Sequence, residues 1–318
     1  MSSRKFSQVT VVGAGAVGCF YGGLLAQAGT SVTLIGRPAH VDAINTNGLR
    51  FDSKKFNAES IKVAATTQVD GVAGANLVLF CVKTGDTEAT AAQIKPHLAP
   101  DAVILLVQNG VDNLRRLKSV LDNPVVPSVV YVAASMAGPG HLLHAGAGSL
   151  IIGKPIESAD DSRLTPALMQ DLSTLFEAAQ IPCPVSDDVD VKLWSKLAIN
   201  CAFNAISAVG QANYATILDM PAALESMKLS INEVAAVANA AGIGLDADET
   251  FATILKAGNS MRPATSSTAQ DLVRGKLTEI DELNGYVARR GKELGVPTPV
   301  NHVLHALVKL RETGLSNE

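Results

Sequence analysis

Charge, aromatic rings and cysteine are all scarce in this chain, a composition that suits an Ala-, Val- and Leu-rich α/β enzyme rather than a disordered protein. Only 18% of its 318 residues are Asp, Glu, Lys or Arg, with a net charge of −4. The cations form no stripe suited to nucleic acid and no polybasic segment suited to a membrane surface. Cys19, Cys81, Cys183 and Cys201 lie far apart and make no C-x-x-C pair. They read as buried free thiols in a reducing compartment. No window reaches about 18 uninterrupted apolar residues, which argues against a transmembrane helix. The polar start "MSSRKFSQ" runs directly into a strand-like segment, without the apolar stretch and cleavage site of a secretory signal. A soluble, cytoplasmic protein is expected.

Two catalytic patterns are also missing. No G-x-S-x-G elbow is present, which disfavours a Ser-His-Asp hydrolase of that type. The pairs His141-x-x-His144 and His302-x-x-His305 have no further ligand at suitable spacing, so they read as loop packing and a helix face, and no metal is assigned.

Apolar residues are abundant, at 47%, enough for large cores in two domains. In the first half, "QVTVVGAG", "SVTLIG", "NLVLFCVK" and "AVILLVQNG" are short apolar runs, each followed by a helix-like segment. Runs without alternation suit parallel strands covered on both faces, in a doubly wound sheet. From about 125 to 153 the pattern is strand-rich, with Gly and Pro turns. Beyond residue 188 the period is helical, over 189–209, 221–241, 248–257, 266–274, 278–294 and 300–312. The expected organisation is a Rossmann-type α/β domain over 1–185 and an all-α domain over 186–318.

The first strand leads into Gly13-Ala14-Gly15-Ala16-Val17-Gly18, a G-x-G-x-x-G motif between strand and helix, which is the context that makes it a dinucleotide signature. Its glycines allow a tight turn, a close pyrophosphate and a helix packed against the strand. An NAD site places an acid at the end of the second strand, but "TLIGRPAH" has Gly36 and Arg37 there. An Arg pairs with a 2′-phosphate that a carboxylate would repel, so NADP(H) is expected. "FCVKTGD" and "LVQNGVDN" follow the next two strands, where ligands sit in open parallel sheets. Lys83 and Asn109 are therefore either cleft residues or ordinary loop and turn residues.

"WSKLAINCAFNAIS" supplies the other candidate chemistry. On a helix of about 100° per residue, Lys196, Asn200, Asn204 and Ser207 fall within an arc of ~80°. This strip suits the wall of a polar cleft, or it is solvated or bonded to a neighbouring helix. Farther on, "SSTAQDLVRGKLTEIDELNG" contributes Ser267, Asp271, Glu279 and Asn284. Asp281 and Glu282 read as a solvated helix face, whereas Glu279 could stabilise the charged form of a cleft lysine.

Together, "VVGAGAVG", "CVKTGDT", "QNGVDN", "WSKLAINCAFN" and "TEIDELNG" resemble the ketopantoate reductase (2-dehydropantoate 2-reductase) family, in its order and across essentially the whole chain. The resemblance implies a helical domain like that of 6-phosphogluconate dehydrogenases and a site between the domains. It implies NADPH-dependent reduction of 2-dehydropantoate to pantoate on the route to pantothenate. Lys196 would be the general acid, supported by Glu279. Asn200, Asn204 and Ser267 would hold substrate, Lys83 and Asn109 would lie at the nicotinamide end, and Arg37 would meet the 2′-phosphate. Ala264 departs from the expected polar residue and leaves the substrate open to another branched or hydroxylated 2-keto acid. The alternative class is a non-catalytic NADP-binding regulator, which would have no need of Lys196. The expected partner is a small-molecule 2-keto acid, and the apolar helices from 221 to 257 permit a homodimer.

Overall fold

The computed structural model describes residues 6–56 and 59–314. The chain forms two compact units: Met1–Asn109 with Asn113–Val189, and Gly110–Asp112 with Asp190–Glu318.

The first unit carries nine strands among the described residues: β1 (Gln8–Val12), β2 (Ser31–Ile35), β3 (Leu49–Ser53), β4 (Ser60–Ile61), β5 (Ala64–Thr66), β6 (Leu77–Phe80), β7 (Val103–Leu106), β8 (Val125–Gly138) and β9 (His141–Ile152). They form one sheet in the order β4-β3-β9-β8-β7-β6-β1-β2-β5. From β5 through β8 all pairings are parallel. The uninterrupted apolar runs follow from burial on both faces. Leu77 and Leu79 of β6 enter one core with Val9, Val11, Val103 and Leu105, while Val78 and Phe80 enter another with Val12, Ile104 and Leu106.

The far side of the sheet is mixed. β8 and β9 form an antiparallel hairpin, β3 adds to β9 in parallel, and β4 adds to β3 antiparallel. β3 and β4 are short and partly polar, so periodicity alone does not announce them. The Pro166–Ala178 helix is likewise absent from the sequence reading, although Thr165 caps it by accepting a bond from the Leu168 N–H at 3.1 Å.

The second unit is helical: Val189–Gly210, Tyr214–Leu218, Pro221–Ala240, Ala247–Ser260, Ser267–Val273, Asn284–Leu294 and Pro299–Thr313. Leu197, Ala198, Cys201 and Ala202 of its long first helix pack with Met227, Ile231, Val234, Ile254 and Val287. Ala205 and Ala208 join Ala269, Leu272, Ile280 and Val308 in a smaller core.

The segment expected to be one helix over 278–294 is instead broken. Ile280–Glu282 is a 3-10 turn, Leu283 is non-helical, and the α-helix begins at Asn284. Side-chain capture explains the break. Glu312 accepts the Thr278 N–H, and fully buried Asn284 donates to the Asn301 Oδ1 atom and the Cys201 carbonyl. No helix among the described residues is long and apolar enough to cross a membrane.

Candidate active site

The nucleotide end of the first unit is made chiefly of backbone. β1 stops at Val12, and Gly13 turns the chain at φ 103°, with its N–H donating to the Ile35 carbonyl at 3.1 Å. A Cβ on Gly13 would lie 2.8 Å from the Cys81 carbonyl carbon, and one on Gly18 only 2.2 Å from the Gly13 oxygen. Gly15 is different: a Cβ there would meet nothing within 4 Å. The loop therefore leaves open space over Gly15.

The Ala16–Gln27 helix starts at this opening with no side-chain cap and no acid in its first turn. Its first N–H groups lie outside the intrahelical ladder and carry the positive end of the helix dipole. This arrangement fits a dinucleotide pyrophosphate. β1 also lies between β2 and β6, where the chain's progression across the sheet reverses, the usual location of such a site.

Beyond β2, a Cβ on Gly36 would stand 2.8 Å from the Ala14 Cβ, so a side chain is disfavoured where an NAD enzyme would carry its acid. Arg37 follows as an exposed residue at the start of the Pro38–Asn47 helix.

Lys83 and Asn109 follow the adjacent parallel strands β6 and β7. Sequence reasoning did not single out the residues that hold these loops. The buried Gln108 amide donates to the Val82 carbonyl at 2.9 Å and Thr87 Oγ1 at 3.0 Å, tying one loop to the other. Asn113 donates to the Asn109 carbonyl at 2.7 Å, and Arg116 to that of Thr84 at 2.9 Å. Gln108 and Asn113 lie within or beside the quoted "QNGVDN", but their supporting role is visible only in three dimensions.

The second unit supplies side chains. Lys196 retains some surface, yet the protein packed around it pushes its ammonium down to about 8, against the opposing pull of Glu279. Burial dominates because a charged amine loses hydration that one carboxylate does not fully replace. Asn200 follows one helical turn later and is half-buried, and Asn204 is buried. Asn204 Nδ2 meets Ser267 Oγ at a long 3.5 Å, bringing together two of the expected substrate ligands.

Ser207 is not a cleft residue. It is fully buried, donates to the Ala212 carbonyl at 2.7 Å and accepts the Ser266 N–H at 3.2 Å. Ser266 in turn donates to the Asn204 carbonyl and caps the Ser267–Val273 helix. The two serines thus fix the approach of Ser267 to Asn204. Asn284 is a structural residue, donating to the Cys201 carbonyl and to Asn301 Oδ1, which also accepts the Ser230 hydroxyl.

Three of the four paired histidines are bonded to other protein groups. His141 meets Asp52 at 2.8 Å, His144 meets Ser53 at 2.8 Å and packs on Phe20, and His305 meets Asp281 at 2.6 Å. Asp281 is therefore not simply solvated. Burial raises its pKa, but His305 and Lys309 outweigh that and hold it below the ordinary carboxylate value.

Comparison with known proteins agrees across both units. Residues 9–156 match the family described as ketopantoate reductase PanE/ApbA, and residues 188–312 match its C-terminal counterpart. A PanE/ApbA family ketopantoate reductase from Ralstonia eutropha is 46% identical, with a TM-score of 0.88 over 97% of this chain and 99% of that one. The 2-dehydropantoate 2-reductase of Pyrococcus horikoshii is 28% identical over 306 residues, covering 96% of this chain and 98% of the relative. A D-mandelate dehydrogenase, whose structure holds NADH and anilino(oxo)acetate, is 26% identical, with a TM-score of 0.87 over 97% and 99% of the two chains. With both family segments matched in order and near full-length identity of 46% to one member, the chain belongs to the PanE/ApbA ketopantoate reductase family of oxidoreductases.

Proposed function

We propose that the protein reduces 2-dehydropantoate to pantoate with NADPH, using Lys196 as the proton donor. The observation that carries this reading is the strip of Lys196, Asn200 and Asn204 on one helix, with Asn204 reaching Ser267 and with burial pushing the Lys196 ammonium down to about 8 against the pull of Glu279. When bound, the reduced nicotinamide supplies the hydride to the keto carbon. Lys196 holds a proton toward the ketone oxygen, stabilises negative charge developing there, and then transfers that proton to complete the hydroxyl group. Charge balances because the positive charge that Lys196 gives up with its proton would be matched by the one the nicotinamide ring gains on losing hydride. An arginine would hold its proton too tightly for this task.

Gly13 through Gly18 and the helix behind them would bind the pyrophosphate, with Arg37 on the 2′-phosphate and Lys83 and Asn109 at the nicotinamide end. Asn200, Asn204 and Ser267 would orient the substrate through its oxygen atoms, Asn109 contributing as well. The division of labour proposed is nucleotide binding by residues 1–185 and substrate handling by residues 186–318.

A second reading keeps the chemistry and changes the substrate. The likeness to a D-mandelate dehydrogenase bound to NADH and an oxoacetate derivative favours testing other 2-keto acids and NADH. The test is cofactor oxidation by the purified protein, with ketopantoate and a panel of 2-keto acids, each with NADPH and NADH. Preference for ketopantoate and NADPH is expected. Turnover confined to another keto acid would replace the substrate, preference for NADH would remove the role given to Arg37, and tight cofactor binding without turnover would favour a regulator.

A further inference from the structure

Glu312 is a buried carboxylate in the last turn of the Pro299–Thr313 helix, with 4% of its surface exposed. A carboxylate there opposes the helix dipole, which favours cations at that end. Desolvation adds a second cost. Three partners offset both. The Thr278 N–H donates to Glu312 Oε1 at 2.8 Å, the Thr278 hydroxyl donates to the same atom at 2.6 Å, and Lys309 Nζ lies 2.6 Å from Oε2.

The contacts converge on the turn that carries Glu279. Thr278 immediately precedes it. Two residues beyond it, Asp281 meets Lys309 Nζ at 2.9 Å through Oδ2 and His305 Nε2 at 2.6 Å through Oδ1. Arg289 donates to the Asp281 carbonyl at 2.8 Å and lies 3.5 Å from Glu282 Oε2. The charged groups around this turn are thus Asp281, Glu282, Arg289, His305, Lys309 and Glu312. Glu279 sits at the start of the turn, between two backbone positions staked to the last helix or to Arg289.

The geometry points to Glu312 as a positioning residue for Glu279, acting through Thr278, with Lys309 and His305 holding the other end of the turn through Asp281. The proposal rests on the reading of Lys196 as general acid with Glu279 as its support. Its function is to keep the Glu279 carboxylate where it favours the protonated lysine, so that the acid survives to higher pH. Neither Glu312 nor Thr278 needs to touch substrate for this effect.

The test measures kcat against pH for the full chain with its best 2-keto acid, comparing wild type, Glu279→Gln, Glu312→Ala and the double variant. Glu279→Gln is expected to move the alkaline limb to lower pH. Glu312→Ala should move it the same way by about half a unit to one unit, equivalent to roughly 3- to 10-fold lower turnover on the alkaline side. In the Glu279→Gln background, Glu312→Ala should move the limb no further, and KM for the cofactor should stay constant. If Glu312→Ala does not fold, Thr278→Val removes the hydroxyl bond while preserving the side chain's shape and should produce the same displacement in smaller measure. An unmoved limb in a folded Glu312→Ala or Thr278→Val variant would overturn the proposal, as would an equal displacement with Glu279 already replaced. Failure of Glu279→Gln itself to move the limb would overturn the Lys196–Glu279 reading and this inference with it.

Discussion

The nucleotide end and the lysine end solve different physical problems. At the first, the useful groups are backbone N–H donors and open space, and glycines provide both: Gly15 leaves room while Gly13 and Gly18 permit close packing. At the second, the useful groups are side chains whose charge depends on their surroundings, with Lys196 shifted by burial and opposed by Glu279. One region is specified by what its residues lack, the other by what they carry. Substitutions should therefore fail differently in the two places.

The largest effect is expected at the lysine. Lys196→Ala removes the proposed proton donor and should lower kcat about 10²- to 10⁴-fold, the usual range for a general acid. Titration of the purified variant with NADPH, followed by fluorescence, should still show binding. Unchanged turnover would remove Lys196 from the mechanism. With Lys196 as the proposed acid, the ammonium would be the active form, so ketone reduction should hold below pH about 8 and decline above it as the proton is lost. A kcat–pH profile with no alkaline decline, under conditions where chemistry limits the rate, would contradict that assignment.

At the nucleotide end, Arg37→Ala should weaken NADPH by about 10- to 150-fold, from the loss of about 1.5–3 kcal/mol of charge-assisted hydrogen bonding. NADH affinity should change little, because Arg37 is exposed and its proposed partner is the 2′-phosphate. Dissociation constants for the two cofactors provide the test. Equal loss for both would make Arg37 a general phosphate contact.

Gly18→Ala and Gly15→Ala separate folding from binding within one loop. The first forces a methyl to within 2.2 Å of the Gly13 oxygen and should lower stability by about 1–3 kcal/mol through overpacking. The second meets no protein atom and should leave Tm nearly unchanged while reducing dinucleotide affinity. Calorimetry and cofactor titration on both variants distinguish the effects. Equal destabilisation would show that Gly15 is a packing residue and not an opening for phosphate.

These differences also explain how much could be read from sequence. The glycine loop is legible because each glycine answers a local requirement and the flanking apolar runs supply its context. The strip of Lys196, Asn200 and Asn204 is legible as a helical face, but Ser207 on the same arc is locked between Ala212 and Ser266. Helical period cannot tell those fates apart, since the deciding contact is 59 residues away. The break near Leu283 was hidden for the same reason. Thr278, Asn284 and Asp281 take partners from distant parts of the chain, and these contacts interrupt what local periodicity presents as one helix.

Ser267 gives the smallest and most selective comparison. Its side chain stands at an exposed position, and Asn204 reaches it only at 3.5 Å, so little folding energy depends on its hydroxyl. The adjoining Ser266, by contrast, is buried and bonded to Asn204, Ala269 and Ser207. Ser267→Ala should therefore change the unfolding free energy by no more than an ordinary surface substitution, about 0.5 kcal/mol, and leave Tm nearly unchanged. It should raise KM for the 2-keto acid roughly 2- to 13-fold, the loss of one hydrogen bond worth about 0.5–1.5 kcal/mol, with KM for NADPH unchanged. Ser266→Ala should instead lower Tm, because its partners are buried in the fold. If Ser267→Ala behaves like Ser266→Ala, Ser267 is part of the scaffold. If only the substrate KM moves, adjacent serines divide the work, one holding the helix in place and the other presenting a hydroxyl to the substrate.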